Sequence, residues 1–138
     1  MKLFWKYYAF LFLLIVLNNG FLLLNKNSPL AIYYNTLLAF NHWYITAYLF
    51  NILNIILNTF VTVIIFNYAF NAQAPRKAPT WLFYARLFSE FTGHSFEWQL
   101  IQTGFAQGIF WGSLGLTVML LPLVPSYLLQ WRITFNKG

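Results

Sequence analysis

The sequence predicts an all-α integral membrane protein, and three observations carry that prediction. Only 7% of its 138 residues are charged, against 60% hydrophobic and 22% aromatic. Soluble domains carry roughly 25% charged residues, so this chain has too few to cover a water-facing surface. Two uncharged runs then dominate the chain: Asn27 to Pro75, 49 residues, and Leu100 to Trp131, thirty-two residues. Each exceeds the roughly 20 apolar residues that cross a bilayer as helix. Lipid is the expected solvent. The expected architecture is a single membrane domain over 1–138, with transmembrane helices over 7–24, 46–70 and 101–121 and an amphipathic interfacial helix over 81–98.

The first crossing is bracketed by Lys2 and Lys6 before it and Lys26 after it, with Trp5, Tyr7 and Tyr8 at the position of an interfacial aromatic belt. A cleaved signal peptide competes with this reading. The apolar core is long, however, and the turn Asn25-Lys26-Asn27-Ser28-Pro29 is not a small-x-small cleavage site. An uncleaved anchor with a cytoplasmic N-terminus is expected.

The next run lacks glycine and proline between Pro29 and Pro75, and so lacks the chemistry of a tight hairpin. Its first half holds tyrosines, asparagines, His42 and Trp43, suited to the interface, and its second half is more apolar. One crossing preceded by an interfacial approach follows. Within that crossing Asn51, Asn54, Asn58 and Thr62 recur at spacings of three, four and four, which places them on one helical stripe. Amides are costly against lipid, so the stripe is expected to face protein, as helix–helix glue or as a polar track.

After the exposed turn holding Pro75, Arg76, Lys77 and Pro79 comes the only stretch that mixes charge with aromatics. Arg86, Ser89, Glu90, Gly93, His94 and Glu97 fall within about 140° of a helical wheel. Trp81, Tyr84, Leu87, Phe88, Phe91 and Trp98 lie outside that arc, while Leu82 and Phe83 intrude on it. This is the pattern of a helix lying in the membrane surface. A fourth crossing is the alternative, and the two topologies trade charge bias against burial. With three crossings the inside cations are Lys2, Lys6, Arg76, Lys77 and Arg86. With four they are Lys2, Lys6, Arg76, Lys77, Arg132 and Lys137, leaving Lys26 alone outside. Four crossings bury Arg86 and Glu90 at about 2.5–3.5 kcal/mol each before any pairing, and the size of that term favours three.

Two constellations carry the functional expectations. Gly104, Gly108 and Gly112 repeat every four residues and Gly115 follows, a small-residue face that admits a neighbouring helix. With Asn51, Asn54 and Asn58 these are the expected helix-packing residues, and Pro122 and Pro125 are expected to stop or kink that last helix. Separately, Glu90, His94 and Glu97 are spaced so that a carboxylate, an imidazole and a carboxylate point one way, with Arg86 four residues before Glu90. Such a set can be presented to a metal or relay a proton, or can simply be solvated charge around an ion pair. His42 is expected at the opposite face from His94, too far away to share a metal, and no metal site is expected.

The net charge of +6 sits in short clusters at the ends of apolar runs, so the expected partner is the bilayer and not nucleic acid. The absence of cysteine excludes disulfides and thiolate metal sites. No nucleotide loop, Ser–His–Asp set or HExxH helix is present, and no cofactor is indicated. The leading expectation is a small non-catalytic membrane protein that packs on itself or into a larger membrane complex through the glycine face. The alternatives are a membrane enzyme or proton-coupled carrier using Arg86, Glu90, His94 and Glu97, and a membrane-resident inhibitor or immunity-type protein.

Overall fold

The computed structural model describes residues 2–25, 27, 44–71, 78–102, 113, 114, 117, 118 and 120–135, apart from the side chains of 44, 96, 97 and 99–102. Among the described residues the chain is all-helical. It comprises α1 (Lys2–Leu24), α2 (Tyr44–Phe70), α3 (Thr80–Gln102) and, after a single 3₁₀ turn at Leu121–Leu123, α4 (Val124–Phe135). Two helices, Lys2–Leu24 and Ile45–Phe70, are long and apolar enough to cross a membrane. The approach segment with His42 and the glycine series Gly104, Gly108, Gly112 and Gly115 lie outside the described residues. Most of the crossing expected over 101–121 does too.

Local chemistry sets the ends. The N–H of Asn25 closes α1 on the Phe21 carbonyl, and the Asn25 side chain then accepts from the N–H of Asn27 at 3.1 Å, an Asx turn. Asn71 closes α2 the same way, its N–H on the Asn67 carbonyl and its amide on the Asn67 side chain. α3 opens behind Pro79, whose carbonyl accepts from the Leu82 N–H, consistent with proline's fit just before a helix begins.

The helices pack antiparallel in chain order. Trp5 meets Tyr68 and Phe10 meets Phe66 and Phe70 between α1 and α2. Phe83 meets Trp131 and Phe135 between α3 and α4. The start of α1, the end of α2, the start of α3 and the end of α4 are thereby gathered at one end of the bundle. The apolar core takes Phe12 and Val16 from α1, Leu57, Val61 and Ile65 from α2, Leu82 from α3 and Leu129 and Ile133 from α4. On α2 the spacing of three and four selects this inner face.

Polarity runs opposite to that of a water-soluble bundle. Asn54, Asn58, Thr62, Arg86, Ser89, Glu90, Ser126 and Gln130 are buried, whereas Leu14, Leu17, Phe21, Phe60, Phe88 and Phe91 are exposed. The threonine hydroxyls of α2 stay on their own helix, Thr62 donating to the Asn58 carbonyl at 2.8 Å and Thr59 to that of Ile55 at 2.8 Å. On α3 the polar arc expected to face water faces protein instead: Arg86 is 0% exposed and Glu90 7%, while Phe91 on the opposite side is 78% exposed. Leu82 and Phe83, which blurred that arc in sequence, are buried beside it. Residues 82, 83, 86, 89, 90 and 93 form one inward stripe, so the arc is a packing face.

Gly93 does not interrupt α3, which runs continuously from Thr80 to Gln102. It is buried against α2, and a Cβ built there would meet Asn54 Nδ2 and the Phe50 Cβ at 3.5 Å each. That is ordinary contact, so a methyl fits and a branched side chain does not. Gly93→Ala is expected to hold or raise stability by up to about 1 kcal/mol through helix propensity. Gly93→Leu, which must push α2 away, is expected to lower it. Thermal unfolding of the two variants in detergent checks this, and equal losses in both would refute the close approach.

Candidate functional site

Among the described residues a polar network crosses the interior, and α3 supplies its charges. Arg86, Glu90 and His94 are four residues apart, so they line a single face of α3. Asn58 of α2 stands between the first two. Its Oδ1 accepts from Arg86 Nε at 2.7 Å, and its Nδ2 donates to Glu90 Oε1 at 3.1 Å. Arginine has only donors and a carboxylate only acceptors, so one amide satisfies both by presenting its oxygen to one and its nitrogen to the other. The simple ion pair expected between Arg86 and Glu90 is replaced by this bridged arrangement.

The rest of the guanidinium is claimed by α4. Nη2 donates to Ser126 Oγ at 2.6 Å and Nη1 to Gln130 Oε1 at 3.3 Å. Its plane lies over the Tyr127 ring, with Cζ 3.8 Å from the centroid, and the Phe12 ring of α1 is at 5.5 Å. Hydrogen bonds to a charged group contribute about 1.5–3 kcal/mol each, and stacking over a desolvated ring adds about 2. Together these offset the cost of removing the cation from water.

A second device ties α1 to α4. Pro122 and Pro125 lack N–H groups and interrupt the helical ladder, as expected, but the chain turns through one 3₁₀ turn and continues as α4. In an unbroken helix the Ser126 N–H would bond the Pro122 carbonyl four residues back. The Tyr8 hydroxyl occupies that gap instead. It accepts from the Ser126 N–H at 3.1 Å and donates to the Pro122 carbonyl at 2.7 Å. Ser126 also donates its own hydroxyl to the Leu123 carbonyl at 2.6 Å, and so joins both networks.

Glu90 has a different setting from Arg86. Its Oε2 pairs with His94 Nε2 at 3.0 Å, so that a hydrogen on Nε2 faces the carboxylate. Both residues sit between two spaces. On the inner side is a cavity of about 80 Å³ walled by Asn19, Asn51, Asn54, Asn58, Ile15, Val16, Ile55 and Leu123. On the outer side is an apolar groove of about 420 Å³ lined by Leu87, Phe91, Ser95, Trp98, Leu120 and Tyr127. Among the described residues the buried Asn54 Oδ1 has no hydrogen-bond partner, and Tyr127 OH, Gln130 Nε2 and Thr134 Oγ1 share that state. Among the described residues no three His, Cys, Asp or Glu side chains gather as a metal site.

The structure therefore brings together Arg86, Glu90, His94, Asn54 and Asn58, with Asn51 half-buried at the cavity wall. The Glu97 side chain and Gly104, Gly108, Gly112 and Gly115 lie outside the described residues. Sequence reading missed Tyr8, Ser126, Tyr127 and Gln130. Ser126 and Gln130 did carry a signal, being polar residues four apart in an otherwise uncharged run. Tyr8 carried none, since an interfacial tyrosine and a helix-bridging one look alike in sequence. The chain matches no known protein family, and neither a curated protein nor a solved structure resembles it significantly.

Removing the Tyr8 hydroxyl leaves a buried N–H and a part-buried carbonyl without their shared partner. Tyr8→Phe is expected to destabilise by about 1–3 kcal/mol. Denaturant unfolding in detergent measures it, and a loss below a few tenths of a kcal/mol would mean that Ser126 and Pro122 bond each other directly.

Proposed function

We propose that the chain is a small integral membrane carrier that couples a solute to protons through Glu90 and His94. The observation that carries this reading is an ionisable pair bordering an amide-lined cavity inside a bundle whose outer surface is apolar. Ionisable residues at membrane depth are expensive and are usually functional. Lipid is the solvent that accounts for Phe88 and Phe91 outside and Arg86 and Glu90 inside.

The antiparallel packing supports four crossings, with α3 and the chain around α4 as the third and fourth. Lys2, Lys6 and Arg132 then share one face with the loop bearing Arg76 and Lys77, leaving Lys26 on the other. That distribution makes the shared face cytoplasmic. A reporter fused after Gly138 is expected on the same side as the N-terminus, and the opposite side would remove α3 from the membrane interior.

The roles divide by surroundings. Arg86 is held by Asn58, Ser126 and Gln130 and neutralises Glu90 across the Asn58 bridge. The electric balance of the site is then decided by what His94 and the cavity hold. In proteoliposomes with an entrapped pH-sensitive dye, the full chain is expected to pass protons, and Glu90→Gln to fall to the level of empty vesicles at an unchanged protein level. Unchanged flux in Glu90→Gln would overturn the carrier. It would return the chain to a second reading, a packing subunit, which the exposed apolar face of α1 (Leu3, Phe10, Leu14, Leu17, Phe21) supports.

A further inference from the structure

The cavity behind Glu90 is chemically lopsided. Asn54 is 7% exposed, and its Oδ1 is an acceptor with nothing to accept from among the described residues. Each Glu90 oxygen takes one donor, Asn58 Nδ2 on Oε1 and His94 Nε2 on Oε2, and a carboxylate oxygen has room for a second. The Asn58 amide is engaged at both ends, its oxygen on Arg86 and its nitrogen on Glu90. The rest of the lining is Asn19, Asn51 and His94 together with the aliphatic Ile15, Val16, Ile55 and Leu123. The vacant acceptor positions thus want N–H donors, a carboxylate oxygen binds a charged donor more strongly than a neutral one, and the aliphatic lining suits a short apolar body.

We infer that this cavity binds a small primary ammonium cation, its N–H groups on Asn54 Oδ1 and the Glu90 carboxylate and its carbon end against Val16, Ile55 and Leu123. A space of about 80 Å³ admits only a few heavy atoms, which limits the ligand to ammonium and short alkylammonium ions. A metal cation would forgo the apolar wall. A quaternary ammonium has no N–H to give Asn54. Arg86 does not compete for the ligand, since its donors are directed at Asn58, Ser126 and Gln130. Such binding rests on the carrier reading in one respect, in making the ammonium ion the solute that moves.

The test uses the full chain in detergent micelles and follows thermal unfolding against methylammonium chloride. Tetramethylammonium chloride and potassium chloride at equal ionic strength serve as controls. Methylammonium is expected to raise the unfolding temperature saturably while both controls leave it unchanged. Glu90→Gln and Asn54→Leu are expected to weaken the midpoint about tenfold or more, the size of a lost hydrogen bond to a charged group. Equal shifts from all three salts, or none from methylammonium, would overturn the site. The wild-type series decides this even if Asn54→Leu fails to fold. Flux that depends on Glu90 without a methylammonium shift removes the ligand and keeps the carrier, and a specific shift without flux keeps the ligand and removes the carrier.

Discussion

A guanidinium with no access to solvent must have its charge and its N–H groups met by protein, and Arg86 imposes that requirement on three helices at once. Asn58 on α2 and Ser126 and Gln130 on α4 take its donors, and Tyr127 takes its face. Arginine suits the position because its planar fork presents several donors in fixed directions, which a lysine ammonium does not. Those directions couple the registers of α2, α3 and α4. Sliding α4 by one residue would carry Ser126 and Gln130 away together, leaving a buried charge unpaired at a cost of several kcal/mol.

The fourth helix is attached by a related logic. Two prolines open the backbone ladder where the chain enters α4, and a tyrosine hydroxyl from α1 fills the opening, serving as acceptor and donor at once. Insertion of a side chain into the ladder is a recognised cause of helix bending. Here it also gives α1, whose sequence is apolar all round, a fixed orientation. Tyr8 must face Ser126, and Phe12 one turn on then faces Arg86. The networks around Tyr8 and Arg86 share Ser126, so every helix of the bundle is joined through that one serine.

Glu90 and His94 are placed by the same scaffold under other conditions. Arg86 is enclosed on every side, whereas these two border open space on both sides. In a medium of low dielectric the charge state of such a pair follows whatever shares its cavity. Glu90 thus stands between the Arg86–Asn58 bridge on one side and the cavity on the other.

Composition and periodicity alone determined the helical class, because length, low charge and uncharged runs admit few other solutions. They also determined the stripe of Asn54, Asn58 and Thr62, since a period of 3.6 residues orders side chains on a helix whatever it packs against. The arc of Arg86, Ser89, Glu90 and Gly93 was equally legible as an arc, but periodicity reports that a face is polar and is silent on what meets it. Water and a complementary protein surface leave the same pattern in one helix. Only the partners could decide between them, and these lie 28 to 44 residues from Arg86 along the chain, at Asn58, Ser126 and Gln130. The Tyr8 bridge, spanning 118 residues to Ser126, was out of reach for the same reason. A hydroxyl's role depends on the backbone groups brought to it, and tertiary structure alone does that.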